Sequence, residues 1–251
     1  MSSVNSQSTW RLNCRGISSR LAVCGALVLL SLATGCAQSQ NSSGVKLFQA
    51  GNYPAAMAKF QQALATDPQN ADAYYNLAAT HHRMGKVNNN KAELDQAEGL
   101  YHQCLDHNPN HADCYRGLAV LLVEENRSGD AFKLLEGWAT RNPGMSEPKI
   151  QLARMYEEFS DKAAAKEQLV EALGTDPYNA RALAALGRLH ESSGNPSQAL
   201  AVYERSLWHN SAQPELAARV ASMRTALGTA PVAAPAAVQT QTVGIDGPLV
   251  R

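Results

Sequence analysis

The strongest constraint on the fold of this chain is a sequence repeat with a period of 34 residues. The repeat is marked by turn-like segments that contain proline, namely "ATDPQN", "DHNPNH", "TRNPGM" and "GTDPYN". Successive prolines are 41, 34 and 34 residues apart, at Pro68, Pro109, Pro143 and Pro177. One further period leads to "HNSAQP", where the turn persists without that proline at Ser211. Such a period is typical of proteins that stack small structural units, each covering the apolar face of the next.

Three columns of the repeat keep one type of side chain. Twelve residues before each turn marker stands an alanine: Ala56, Ala97, Ala131, Ala165 and Ala199. Eight residues before it stands a large apolar or aromatic residue: Phe60, Tyr101, Leu135, Leu169 and Tyr203. Five residues before it most side chains are small, with one exception: Ala63, Cys104, Trp138, Ala172 and Ser206. Alanine lets two helix axes approach closely while a larger neighbour fills the groove beside it. The columns therefore predict closely packed helices.

These columns resemble the tetratricopeptide repeat family, whose unit is a pair of antiparallel helices. The first helices of the units agree, because a leucine directly precedes a small residue at Leu77–Ala78, Leu118–Ala119, Leu152–Ala153 and Leu186–Gly187. The resemblance covers residues 44–228 and implies an all-α fold, a right-handed superhelical solenoid of antiparallel helix hairpins. The segment "PELAARVASMRTALG" after the fifth unit fits the C-terminal capping helix that such stacks need.

Some segments lie outside the regular pattern. The insertion "VNNNKAEL" after Gly85 predicts a mobile loop inside one hairpin, because consecutive asparagines favour turns. Residues 229–251 are rich in Pro and Ala without a period and are predicted to be disordered. Trp138 and Trp208 both fall on predicted second helices, and we expect them in the core.

Residues 1–35 have the features of an export signal. Arg11, Arg15 and Arg20 precede the uncharged run "LAVCGALVLLSLATG" at residues 21–35. The length of this run suits the apolar region of a secretory signal better than a membrane-spanning helix of about 20 residues. An uncleaved membrane anchor is the alternative interpretation.

The end of this run, "LATGC", resembles the lipobox of bacterial lipoproteins, although Ala33 stands where Leu is more common in that family. The resemblance implies cleavage after Gly35 and lipidation of Cys36 with diacylglycerol and an acyl chain such as palmitate. Residues 36–43 are then expected to form a flexible tether. Because Ala37 and not Asp follows the cysteine, the expected location is the periplasmic face of the outer membrane.

The segment "YHQCLDHNPNHADC" has the densest group of reactive side chains. Cys104 and Cys114 lie five residues on either side of Pro109, so an antiparallel hairpin places them at similar height. Because an exported chain meets oxidising conditions, these cysteines are a candidate disulfide. The alternative is a metal-binding or small-ligand-binding lipoprotein that uses His107 and His111 of this turn.

Several functional classes are disfavoured by the sequence. The 22 basic and 22 acidic residues cancel, so a nucleic-acid partner is not expected. The sequence has no Gly-rich phosphate loop and no nucleophile elbow. We therefore predict a protein that is not an enzyme and needs no cofactor.

The family resemblance implies a binding groove on the concave face formed by the first helices. The residues that it turns inward are Tyr75, His82, Arg83, Arg116, Arg154 and Arg188. The expected partners are other envelope proteins, while the lipid on Cys36 contacts the membrane. The predicted function is a lipid-anchored scaffold for assembly of an envelope complex such as a pilus or a secretion apparatus. In the alternative, Arg154 pairs with Glu158 and Arg188 with Glu191 as solvated ion pairs.

Overall fold

The computed structural model describes residues 37–228, which form eleven helices and no strand. The predicted signal peptide, Cys36 and the tail at 229–251 lie outside the described residues. The helices are α1 (37–49), α2 (Tyr53–Thr66), α3 (Ala71–Asn88), α4 (Lys91–His107), α5 (Ala112–Glu124), α6 (Ser128–Arg141), α7 (Glu147–Glu158), α8 (Lys162–Thr175), α9 (Ala180–Ser192), α10 (Pro196–His209) and α11 (Pro214–Leu227). The all-helical prediction is confirmed.

The helices belong to two compact units, the first ending at Arg141 and the second beginning at Asn142. In the first unit α3 packs against α4 and α5 against α6, with further contacts between successive hairpins. In the second unit α7 packs against α8 and α9 against α10, and α11 covers α10. Each unit is thus a short stack of helical hairpins, as expected for a helical repeat solenoid.

The cores of both units are built from the repeat columns. The alanine column is fully buried in every copy: Ala56, Ala97, Ala131, Ala165 and Ala199. The large column is buried beside it: Phe60, Tyr101, Leu135, Leu169 and Tyr203. Both predictions are confirmed. Trp138 is also buried and stacks on Tyr115, with ring centroids 4.1 Å apart. Trp208 is 66% exposed, so its predicted place in the core is wrong.

Asparagine side chains begin several helices. Asn70, Asn90 and Asn179 each accept a hydrogen bond from a backbone N–H of the following helix. Such a cap satisfies one of the N–H groups that the first helical turn leaves without a partner. His111 holds the same position before α5, where its Nδ1 accepts from the backbone N–H of Cys114 at 3.2 Å. The turn markers therefore end one helix and cap the next.

The mobile loop predicted for the asparagine-rich insertion is wrong. The inserted residues lengthen α3 to 18 residues and α4 to 17, and only Asn89 and Asn90 lie between them. Asn89 adopts the left-handed conformation with φ 49°, which asparagine tolerates better than most residues. Asn90 then caps α4. The asparagines therefore make a tight turn between two long helices.

The flexible tether predicted for residues 36–43 is also wrong over residues 37–43, which belong to α1. Ala37 and Asn41 are buried, and the side-chain amide of Asn76 donates to Asn41 Oδ1 at 3.0 Å. Apolar residues later in α1 pack against Phe60 and Leu77. This packing stabilises the helix and extends it toward the N-terminus. Within residues 37–228, no helix is both long enough and apolar enough to cross a membrane.

Candidate functional site

In the first unit, the predicted groove residues on α3 lie beside α4 and α5. Tyr75 is half-buried, with its ring centroid 6.3 Å from that of Tyr101 and 5.6 Å from that of His111. His82 Nε2 lies 2.9 Å from Glu124 Oε2, and its Nδ1 lies 3.5 Å from the hydroxyl of Tyr101. Both nitrogens of His82 are therefore engaged within the unit.

Glu124 links two cationic or potentially cationic side chains of α3. Burial raises the pKa of the Glu124 carboxyl, but hydrogen bonds from Lys86 and His82 outweigh it and lower the pKa overall. Arg116 is likewise engaged, since its guanidinium lies 2.7 Å from Asp113 one turn away. Arg83 is exposed and has no hydrogen bond or ion pair with any residue between 37 and 228. Of the predicted first-unit residues, only Arg83 is thus available as a free cation.

In the second unit, the inner helix α9 lines a cavity of about 540 Å³ with α10 and α11. Its lining combines apolar groups with charged and polar side chains: Ala184, Arg188, Glu191, Tyr203, Gln213, Pro214, Glu215, Leu216 and Arg219. Arg188 was predicted as a groove residue and does line this space. The cavity reaches the capping helix, which the sequence did not indicate as part of a site.

The predicted ion pair between Arg188 and Glu191 is wrong. Glu191 Oε2 accepts from the hydroxyl of Tyr203 at 3.0 Å, and the other carboxylate oxygen pairs with Arg219 of α11. Within the described chain, the guanidinium of Arg188 has no hydrogen-bond or ion-pair partner. Arg219 of the capping helix therefore pairs with Glu191, and the guanidinium of Arg188 is left available to a ligand.

The carboxyl group of Glu157 on α7 interacts electrostatically with Arg188. Its Oε1 is buried and has no hydrogen-bond partner among residues 37–228. Burial raises the pKa of the Glu157 carboxyl, while the charges of Arg188 and Arg154 oppose this rise. The sequence did not identify Glu157 as a site residue. The only signal in the sequence was that this glutamate stands between two first-helix arginines. Burial of its Oε1 depends on tertiary packing.

These groups are suited to binding and not to covalent chemistry. The free guanidinium of Arg188 lines the cavity and can donate several hydrogen bonds, and the carboxylate of Glu215 in the same lining can accept hydrogen bonds. A polypeptide segment offers both carbonyl acceptors and N–H donors. The second unit therefore has complementary charged groups for a peptide-like ligand.

The cysteine-rich turn lies in the first unit, between α4 and α5. The structure joins Cys104 and Cys114 by a disulfide, with Cα atoms 6.5 Å apart. His111 lies next to it: the ligand atoms of the two cysteines and His111 are within 4.8 Å of one another. His107 is not part of this group and stacks on Tyr74 instead, at a centroid distance of 5.0 Å. Of the two histidines proposed for this turn, the structure thus places only His111 beside the two cysteines.

Comparison with known proteins agrees with this architecture. A TPR repeat model matches residues 44–85, and two tetratricopeptide repeat models match residues 90–146 and 182–216. No curated protein matches the chain significantly.

Solved structures with the same fold include TTC0263, a thermophilic TPR protein of Thermus thermophilus. It is 25% identical with a TM-score of 0.56, and the match covers 75% of this chain and 99% of that one. PilW, a widely conserved type IV pilus biogenesis factor, is 19% identical with a TM-score of 0.51, over 77% of this chain and 87% of that one. The human IFIT1 dimer with m7Gppp-AAAA is 18% identical with a TM-score of 0.51, over 77% of this chain and 46% of that one.

Proposed function

Because this chain belongs to the tetratricopeptide repeat family, we propose that it is a non-enzymatic scaffold that binds a segment of a partner protein. We further propose that it is anchored by a lipid on Cys36 at the periplasmic face of the outer membrane. In this position it would assist assembly or stability of an envelope complex such as a pilus or a secretion apparatus. The fold shared with the pilus biogenesis factor PilW supports this choice by analogy.

The observation that carries the proposal is the unpaired guanidinium of Arg188, which lines the cavity of the second unit. The exposed guanidinium of Arg188 has no hydrogen-bond or ion-pair partner within the described chain that would compete with a ligand. A bound segment that places a carbonyl or carboxylate on Arg188 would engage this guanidinium inside the cavity. Binding energy is then concentrated at a few desolvated contacts, as in most protein interfaces.

The shape and lining of the cavity support a peptide-like ligand. Its volume of about 540 Å³ fits a few side chains and not a folded domain. Ala184, Pro214 and Leu216 contribute apolar surface to the lining, while Arg188 and Gln213 contribute polar groups. Such a lining can hold a short apolar stretch with one acidic group.

The test is co-purification of the detergent-solubilised full chain from its native envelope, followed by identification of the proteins retained. Arg188→Ala is expected to lose the specific partner. Arg205→Ala is the matched control, because Arg205 is an exposed arginine on α10 that does not line the cavity. Circular dichroism and thermal melting of both variants establish that each is folded.

An envelope protein that co-purifies with the wild type and with Arg205→Ala, but not with Arg188→Ala, supports the proposed binding site. Full retention by a folded Arg188→Ala variant contradicts it and moves the interface away from this cavity. A partner that assembles into a pilus or secretion apparatus supports the proposed process, whereas a partner of another kind contradicts that part alone.

A further inference from the structure

The turn between α4 and α5 places three potential metal ligands together in the first unit. Cys104 lies near the end of α4, His111 precedes α5, and Cys114 lies in its first turn. Their ligand atoms are all within 4.8 Å of one another. The side chain of His111 is only 10% exposed, and both cysteines are fully buried. Three converging ligands of this kind are sufficient for a zinc site that keeps its fourth position for water.

The other repeat units show what packing alone requires at these three positions. At the repeat position of Cys104, three other repeat units have Ala63, Ala172 and Ser206. At the position of Cys114, two other units have the buried residues Ala73 and Ala182. At the position of His111, the corresponding capping residues are Asn70 and Asn179. Close packing and helix capping therefore need no sulfur or imidazole here, yet all three occur in the same turn.

The hydrogen bonds of His111 favour the tautomer in which Nδ1 can bind a metal. Its Nε2 lies 2.9 Å from Asp72 Oδ1, so the Nε2–H group donates a hydrogen bond to the carboxylate. Its Nδ1 accepts from the backbone N–H of Cys114 and is therefore unprotonated. A histidine that donates one N–H to a carboxylate and keeps its other nitrogen as an acceptor can bind a metal through that second nitrogen, as metal-ligating histidines commonly do.

We propose that the dithiol form of this turn binds a thiophilic divalent cation, of which Zn²⁺ is the type, through Cys104, Cys114 and His111. Asp72 would orient the imidazole without contacting the cation. Thiolate and imidazole ligands together suit zinc better than the hard cations Mg²⁺ and Ca²⁺. The cation would replace the N–H of Cys114 as the partner of His111 Nδ1. This inference is independent of the peptide-binding cavity, which lies in the other unit.

The disulfide and the metal are mutually exclusive states of the same two sulfurs. A dithiol reductant opens the bond: one of its thiolates attacks one cysteine sulfur and releases the other cysteine as a thiol. The second thiol of the reductant then resolves the mixed disulfide, so two electrons and two protons pass to the protein and the reductant leaves as a disulfide. Binding of the cation displaces both thiol protons to solvent.

The experiment uses the purified full chain, reduced anaerobically with a phosphine that is then removed, and titrated with Co²⁺ as a spectroscopic probe. The expected result is a cobalt–thiolate charge-transfer band that saturates at one equivalent and is abolished by adding Zn²⁺. The oxidised chain, treated in the same way, is expected to show no band. Circular dichroism of the reduced chain, with and without metal, shows whether the probe binds the folded protein.

His111→Asn is the decisive variant, because asparagine caps the equivalent helices at Asn70 and Asn179 and so keeps the local structure. It is expected to weaken Zn²⁺ binding by at least about tenfold, as loss of a ligand should exceed the roughly 10-fold to 100-fold cost of losing an outer-shell partner. Asp72→Asn is expected to weaken binding less. Equal Zn²⁺ affinity in the wild type and His111→Asn would overturn the proposal. The absence of a cobalt–thiolate band in the reduced wild type would overturn it as well.

Discussion

A Cβ atom on Gly187 would lie 2.5 Å from Cε1 of Tyr203, so the glycine makes the space that the tyrosine ring occupies. The same relationship holds between Gly44 and Phe60, where a Cβ would also meet the ring. In the fourth repeat unit the corresponding residues are Ala153 and Leu169, which lie in one core cluster. In these three repeat units the small column therefore compensates for the size of the large column.

Gly187→Ala is expected to destabilise the protein by about 1 to 3 kcal/mol, because the ring of Tyr203 must move. Tyr203→Leu in the same chain should recover part of this loss, since alanine and leucine already pair at Ala153 and Leu169. Urea denaturation of the two single variants and the double variant measures the coupling. Strictly additive effects would contradict the size compensation.

Ala165→Phe is expected to lower the free energy of unfolding by roughly 1 to 3 kcal/mol, because Ala165 is fully buried at a close helix crossing. Ala163→Phe is the control, since Ala163 is exposed on the same helix and should change stability by no more than about 0.5 kcal/mol. Thermal melting compares the two. An unchanged melting temperature for Ala165→Phe would show that this column is not a tight crossing.

Removal of the disulfide by Cys104→Ala and Cys114→Ala together is expected to cost roughly 2 to 3 kcal/mol, through the added freedom of the unfolded chain. The native packing should change little, because alanine occupies both columns in other units. Urea denaturation measures the cost, and peptide mapping without reductant establishes the bond in the wild type. Recovery of two free thiols from protein purified out of the envelope would contradict the bond.

Glu157→Gln is expected to raise the free energy of unfolding at pH 7. Burial raises the pKa of the Glu157 carboxyl, so the folded chain binds more protons than the unfolded chain at mildly acidic pH. Stability consequently falls as the pH rises from the ordinary value of 4.5 through the folded pKa. The gain from Gln should therefore be present at pH 7 and disappear below pH 4.5.

Urea denaturation at both pH values checks this prediction. Glu158→Gln is the control, because it removes the same charge from an exposed neighbouring position. A gain of equal size at the two pH values, or an equal gain in the control, would show that burial of Glu157 is not the cause.

Cys36→Ser is expected to abolish lipidation, leaving either unprocessed precursor or a mature chain released from the membrane. A single polar residue cannot replace the acyl chains that hold a lipoprotein to a bilayer. Mass spectrometry of the N-terminal peptide of the wild type provides the reference. An intact wild-type chain with unmodified Cys36 would exclude the lipoprotein hypothesis.

The repeat period predicted most of the fold, because each column records a steric requirement that recurs in every unit. Ala165 and Leu169 could be placed at a helix crossing from spacing alone. The sequence was less informative where one unit departs from the pattern. Three consecutive asparagines are typical of loops, yet a left-handed Asn89 and a capping Asn90 suffice to turn between two longer helices.

The site was predicted less completely, because it depends on which partner each charged residue finds. Arg188 and Glu191 are one helical turn apart, so local spacing favoured an ion pair between them. Arg219 comes from a helix further along the chain and takes Glu191 instead. Burial of one oxygen of Glu157 likewise results from tertiary packing, which the spacing of residues along one helix does not record.

The early start of α1 limits how far the folded protein could move from a membrane. Seven extended residues after a lipidated Cys36 would give a reach of roughly 23 to 25 Å. Residues 37–43 are instead wound into a helix that is packed by Ala37 and Asn41. With a lipid on Cys36, the first unit would therefore lie directly on the bilayer surface in a restricted orientation. It would then bind partners at the membrane surface and not partners that are distant from the membrane in the periplasm.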